Sequence, residues 1–242
     1  MNNRGLVLLG ISLASGLVLS VLVASTAFYN TKKLDNVISV TGSAQQKITS
    51  DVVKWKASFV RNVSPAEVAV GYKNIQSDFN IIEKYLKDNK IVAAELSISP
   101  ANMQPMYSYY NGSQTLTGYI ITQRLEVQSS DIAKVTELEK RAPSELSARG
   151  LTFTNDGEEF YYTKFSDLKV AMLAEATKNA QKRADEIAKS TGRAVGDLKS
   201  ADMGVFQVTA VNSVDVNDYG SYDTSALEKQ VTAVVRGSFY IK

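Results

Sequence analysis

The feature that most constrains this chain is the run GLVLLGISLASGLVLSVLVASTAFY at residues 5–29, which carries no charge and is mostly apolar. At about 1.5 Å per residue a helix over this run is about 37 Å long, enough to cross a hydrocarbon core of about 30 Å. Two readings compete: a retained transmembrane anchor over residues 1–30, and a cleaved signal peptide with Ser25-Thr26-Ala27 as its small-residue cleavage site. The apolar run exceeds the roughly 7–15 residues of a signal-peptide core, which favours the retained anchor. Ser12, Gly16, Ser20 and Ala24 recur every four residues along it. They line one helix face, the small-residue pattern that lets transmembrane backbones approach closely. Arg4 precedes the run and Lys32 with Lys33 follows it, so the positive-inside rule gives no orientation. Residues 31–36 form a short tether, which holds whatever folds next near the bilayer.

Residues 37–242 are enough for one large domain or two small lobes. A hydrophobic content of 44% with 21% charged residues is that of a globular chain. With Arg4, Lys32 and Lys33 set aside from 27 basic and 25 acidic residues, the part after the tether is close to neutral. Without a basic stripe there are few counterions to release from a phosphate backbone, which disfavours nucleic acid as a partner. The chain has neither cysteine nor histidine. That removes disulfides, thiolate nucleophiles, imidazole bases and the usual zinc, copper and haem ligands, so no metal and no cofactor is expected.

Residues 37–42 alternate and are β-branched, as a strand should be, and residues 52–60 read as its neighbour across a polar turn. Ser64-Pro65 starts a helix, with a capping hydroxyl before a proline in the first turn. Its apolar residues Val68, Tyr72, Ile75, Phe79, Ile82 and Leu86 fall on one face, and it ends near Asn89. Residues 95–103 and 118–127 are two strands of a long, projecting hairpin with Asn111-Gly112 between them. A second helix over residues 131–146 is capped by Ser129 or Ser130, with Pro143 disturbing its last turns and Gly150 after its end. Residues 151–165 read as a second hairpin around Asn155-Asp156-Gly157. Residues 166–191 are the longest helix, carrying Ala171, Ala174, Ala176, Ala180, Ala184 and Ala188, with Gly192 as its C-cap. Strands at 205–211 and 231–241 close the chain around a long polar loop, residues 212–226. The order is ββ-α-ββ-α-ββ-α-ββ after one transmembrane helix, an α+β fold of antiparallel sheet with helices packed on one face.

Four patterns then stand in one order along residues 37–242: Ile38-x-Val40-x-Gly42, the amphipathic helix from Ala66, Gly118-Tyr119 with Leu125-x-Val127, and the helix from Ala171 to Ala188 followed by Gly192 and Gly196. This order and spacing resembles the SIMPL-domain family, a domain of unknown function common in bacterial envelopes. The resemblance implies an exported, extracytoplasmic domain, ring-forming self-association, stress-related roles and no catalytic residue set. Pro143 and the retained anchor depart from the family pattern. With the anchor, the implied location is the bacterial cytoplasmic membrane, single-pass, with the domain on the extracytoplasmic side.

Several smaller motifs invite chemistry. Ser166 and Lys169 have the S-x-x-K spacing of serine–lysine acylases, but the companion motifs are missing and Ser166 sits where a helix cap is needed. Asp215, Asn217, Asp218, Gly220 and Asp223 resemble the start of a calcium loop, yet Tyr219 and Ala226 stand at ligand positions. Glu158 and Glu159 are adjacent, so on a strand they point to opposite faces as surface charges rather than a catalytic pair. Asn111-Gly112-Ser113 is a formal glycosylation sequon made of residues the turn already demands. The tyrosines say more: Tyr107, Tyr109, Tyr110 and Tyr119 flank one hairpin, Tyr161 and Tyr162 the next, Tyr219 and Tyr222 the long loop. Some pack cross-strand, whereas Tyr107, Tyr109 and Tyr110 are expected to contact another subunit. The expected protein is thus a non-enzymatic, membrane-anchored homo-oligomer. The alternative is a binding module that captures a small ligand or an envelope protein in a groove beside residues 212–226.

Overall fold

The computed structural model describes residues 3–33, 36–213 and 217–242; Asp215 and tether residues 34–35 lie outside these. The chain falls into two compact units. The first holds Met1–Gln45, Lys169–Phe206 and Thr232–Lys242; the second holds Gln46–Leu168 and Gln207–Val231.

The second unit is built on a twisted antiparallel sheet. Its strands are β2 (Val52–Val63), β3 (Leu96–Ile98), β4 (Asn102–Tyr110), β5 (Ser113–Ser129) and β6 (Thr152–Tyr161), in the order β3-β5-β2-β6 with β4 also on β5. Val53, Trp55, Ala57 and Phe59 share one face and are buried. Against them pack α2 (Val68–Asp88) through Ile75, Ile82 and Leu86, and α3 (Ile132–Ser147) through Val135, Leu138 and Leu146. The four-three spacing of α2 therefore does put a stripe on a sheet. Tyr72 at its near end is exposed. The same face holds one deep ion pair: Arg61 of β2 donates to both carboxylate oxygens of the buried Asp78, at 2.5 and 2.6 Å.

In the first unit, α4 (Phe165–Ser190) lays Met172, Ala176, Ala180, Ala184 and Ala188 inward at four-residue steps, while Ala171 and Ala174 face outward. Ala180 and Ala184 meet Val40 of β1 (Val37–Thr49) and Phe239 of β10 (Glu228–Ile241). The approach is so close that a Cβ on Gly42 would overlap the α4 backbone at Ala176 and Ala180. The other sheet has the order β1-β10-β8-β9, with β8 (Gln207–Ala210) and β9 (Ser221–Tyr222) in the second unit and β7 (Val195–Met203) also on β10. Ahead of all this stands α1 (Asn3–Lys33), an exposed apolar helix.

The α+β class, the antiparallel sheets, apart from a parallel pairing of β8 with β9, and the apolar first helix agree with the sequence reading; several local readings do not. β1 and β2 belong to different sheets. A tight hairpin there needs positive φ, which neither Ser50 nor Asp51 adopts. Ser50 N–H goes to Leu227 and Asp51 N–H to Tyr161, so the chain changes sheets at that point. Residues 151–165 do not make a hairpin. Every residue from Thr152 to Tyr161 except Asp156 pairs with β2, and Asn155-Asp156-Gly157 is a bulge, with Gly157 at φ 97. The stretch at 95–103 is split between β3 and β4. β7 gives no strand signal in the sequence, because an exposed edge strand of sequence VGDLKSADM has no apolar alternation to show. Ser64 gives its hydroxyl to Glu67 rather than to the backbone, and a 3-10 turn over Pro65–Glu67 leads into α2. α3 is capped by Asp131, which accepts from Lys134 N–H, and Pro143 lies inside the helix without ending it.

Candidate functional site

Among the described residues no group of three or more His, Cys, Asp or Glu could hold a metal ion. The residues singled out in the sequence resolve into separate places.

Ser12, Gly16, Ser20 and Ala24 are exposed on α1, with the Ser12 and Ser20 hydroxyls donating to the carbonyls of Leu9 and Leu17. Their polarity is spent within the helix, leaving a smooth surface for packing. The span Val7–Asn30 has a mean hydropathy of 2.5 and none of it is buried, so this helix is long and apolar enough to cross a membrane or act as a signal anchor.

The tyrosines divide sharply. Tyr161 stacks on Tyr222 at 6.3 Å, Phe165 meets Tyr222 edge-on at 5.5 Å, and the Tyr222 hydroxyl accepts from Tyr162 N–H. These rings pack on one another, with Tyr222 still 38% exposed. Tyr107, Tyr109 and Tyr110 are instead 47, 74 and 77% exposed on β4, close to the Asn111-Gly112 turn. Tyr107 lies opposite Leu116 and Tyr109 opposite Gln114 in the ladder, so one hairpin face carries Tyr107, Tyr109 and Leu116 together. With Met103 also exposed, the arm presents aromatic and apolar surface along its length.

The described residues of the long polar loop, 212–213 and 217–226, are held largely by hydrogen bonds from their own side chains. Asp223 accepts from Ser225 N–H, Ser225 hydroxyl and Ala226 N–H at 2.7, 2.9 and 3.1 Å. Burial would raise its pKa, but these donors outweigh burial and hold the carboxyl below its usual range. Asn217 is likewise used up, its carbonyl accepting from Gln207 and its side chain from Tyr219 N–H. Its oxygens are tied into turns rather than gathered around a cation. The same region holds a residue that sequence reading missed. Lys229 is fully buried, its ammonium donating to the Ala226 carbonyl. Burial lowers its pKa, opposed by the charge of Asp223. The signal was available in the strand's alternation, which puts position 229 in phase with Val231, Ala233 and Val235.

Glu158 and Glu159 do point to opposite faces, but only one is a surface charge. Glu159 pairs with Lys56 at 2.7 Å and accepts from the Tyr161 hydroxyl, which lower its pKa in that order. Glu158 turns toward α3, where it accepts from the Thr136 hydroxyl and shares a hydrogen bond with the Glu139 carboxyl. Burial first, and the shared bond second, push it up to about 7. Asn155 in the bulge ties this pair to the core. It donates to Glu139 at 2.6 Å and accepts from the Trp55 indole at 2.9 Å. Ser166 lies inside the first turn of α4, one residue past its start, so it does not cap the helix. The Lys169 ammonium lies 5.8 Å above the Phe206 ring.

An apolar leading helix followed by sheets with helices packed on them makes this an α+β chain whose first helix is long and apolar enough to cross a membrane. The match to known families is specific: the chain belongs to the SIMPL family, described as proteins of unknown function (DUF541), over residues 38–239. No curated protein matches the chain.

Proposed function

We propose that this is a non-enzymatic, membrane-anchored envelope protein that assembles into a ring or cage-like homo-oligomer on the extracytoplasmic face of the bacterial cytoplasmic membrane, in a stress-related role. The observation that carries the reading is the exposure of Tyr107 and Tyr109 on one face of the hairpin arm, with Tyr110 exposed on the other. Tyrosine in that position gains area on association at low entropic cost and keeps a hydroxyl for the rim. The apolar α1, with Ser12, Gly16, Ser20 and Ala24 on one face, supports both anchoring and a second contact in the bilayer. Particle size of the detergent-extracted chain is the test. A monomer at micromolar concentration with α1 intact sinks the reading.

A binding module is the second reading, and one observation favours it. A groove of about 560 Å³ runs between the end of α2 and residues 90–96, floored by Leu86, Ile91 and Leu96 and edged by Lys87 and Lys90. None of the residues that line it belongs to 212–226, beside which the sequence suggests a groove. A thermal-shift screen of anionic amphiphiles against the chain, with Lys87→Glu/Lys90→Glu as control, tests it; no shift with any of them removes this reading.

A further inference from the structure

The hairpin tip has a chemistry of its own. Residues 107–117 are exposed without interruption, from the end of β4 through the turn into β5. Asn111 and Gly112 form the two-residue loop at φ 46 and 77, with Tyr110 paired to Ser113 across it. Among the described residues the Asn111 carboxamide makes no hydrogen bond, and neither does the Gly112 N–H. Where a Cβ would stand on Gly112 there is no heavy atom within 4 Å. A carboxamide is thus followed by an unhindered, unengaged backbone amide. It stands on a segment whose opening exposes no core side chain and so costs little.

We propose that Asn111 is a self-modification site, at which the Gly112 amide and solvent water convert the Asn111 carboxamide to isoaspartate and aspartate. The Gly112 nitrogen gives up its proton and forms a bond to Cγ of Asn111. The bond from Cγ to the carboxamide nitrogen breaks, and that nitrogen leaves as ammonia with the transferred proton. A five-membered cyclic imide remains. Water then adds at one of its two carbonyl carbons. Opening the bond to Cγ restores the original backbone with aspartate; opening the bond to the α-carbonyl routes the backbone through the side chain as isoaspartate. The glycine matters twice, since it lacks a side chain to obstruct the ring and accepts the backbone angles that closure needs.

Either product places a carboxylate next to Tyr110, and isoaspartate also lengthens the loop by a methylene, which the two-residue turn cannot absorb without losing the Tyr110–Ser113 pair. A consequence for assembly rests on the proposed self-association: the modified arm no longer matches its partner surface, so assembled and aged chains separate into two populations.

The full-length protein in detergent is held at mildly alkaline pH and followed by peptide mapping, ammonia release and enzymatic methyl labelling of isoaspartate. Asn111 is expected to convert before every other asparagine, with isoaspartate the larger product, and Gly112→Ala is expected to lose most of the conversion. Because Gly112→Ala also strains the turn, the order of conversion within the unaltered chain is the second measure. An Asn111 that keeps its amide while Asn155 or Asn217 converts overturns the proposal, as does undiminished conversion in Gly112→Ala. Particle size of the aged sample reads the assembly consequence separately: conversion with unchanged size overturns that consequence alone. A fresh sample that is already monomeric counts against the proposed function instead.

Discussion

The seam between α4 and β1 and the hairpin of β4 with β5 treat exposed strand in opposite ways. At the seam the middle of the strand is engaged from both sides. β1 pairs with β10 on one side only, and on its other side Ser43 N–H is met by Asn179 at 3.1 Å and the Thr41 carbonyl by Arg183 at 2.9 Å. Gly42 and the alanines of α4 let helix and strand backbones touch. A sheet edge closed by side chains is protected from pairing with other chains. The hairpin arm, in contrast, carries large side chains that no part of its own unit covers. Engagement of one strand and exposure of the other would suit the proposed association through the hairpin surface.

The contrast breaks most visibly at Gly42. Gly42→Ala drives a Cβ into α4 backbone that has no side chain to move aside, and is expected to cost about 3 kcal/mol, read as a lowered denaturation midpoint. A loss no greater than that of an ordinary surface change would show the seam to be loose. Asn179→Ala sharpens the same point on a smaller scale. It leaves Ser43 N–H without its acceptor, for about 1 kcal/mol in chemical denaturation and faster exchange of that amide.

The stability of the packed sheet should also respond to pH. Glu158 is held near 7 in the fold against an ordinary value of 4.5. The folded state therefore binds the extra proton between those values, and stability falls as pH rises through that window. Glu158→Gln removes the dependence: no advantage over the unaltered chain below about pH 4.5, growing to about 1 kcal/mol above pH 7 once screening of a partly exposed carboxyl is allowed for. Parallel melting curves across pH for both chains would refute this. The smallest effect on stability belongs to the arm itself. Replacing Tyr107, Tyr109 and Tyr110 together by serine should move the denaturation midpoint by no more than about 0.5 kcal/mol while reducing particle size to that of a monomer. A large fall in stability would mean that these rings pack within the chain after all.

Legibility followed the periodic signals. The stripe of α2 and the turn at Asn111-Gly112 could be read because each depends on residues close together in sequence. Asn155-Asp156-Gly157 sends the same turn signal and means something else. Trp55, a hundred residues earlier in the chain, donates to Asn155 and holds it in a bulge while β2 continues to pair on both sides. Edge strand β7 gives no pattern because it buries little. The link from Glu158 to Glu139 and Asn155 joins two elements whose approach no local spacing records. Of the candidate contact residues, the sequence could name the tyrosines; that Tyr107, Tyr109 and Tyr110 stay exposed depends on β4 and β5 running on past the last pairing of β5 with β2.

One arrangement described above bears on how this protein can be taken apart. The boundaries between the two units fall at residues 45–46, 168–169 and 231–232, inside β1, α4 and β10, and only the one at 206–207 lies between elements. Three of these crossings thus run through hydrogen-bonded helix or strand, where no flexible linker offers a place to cut. Neither unit can be made as one uninterrupted stretch of the chain. Limited proteolysis should therefore yield fragments that stay associated or unfold together, and a partial gene product should be degraded rather than accumulate as a working half.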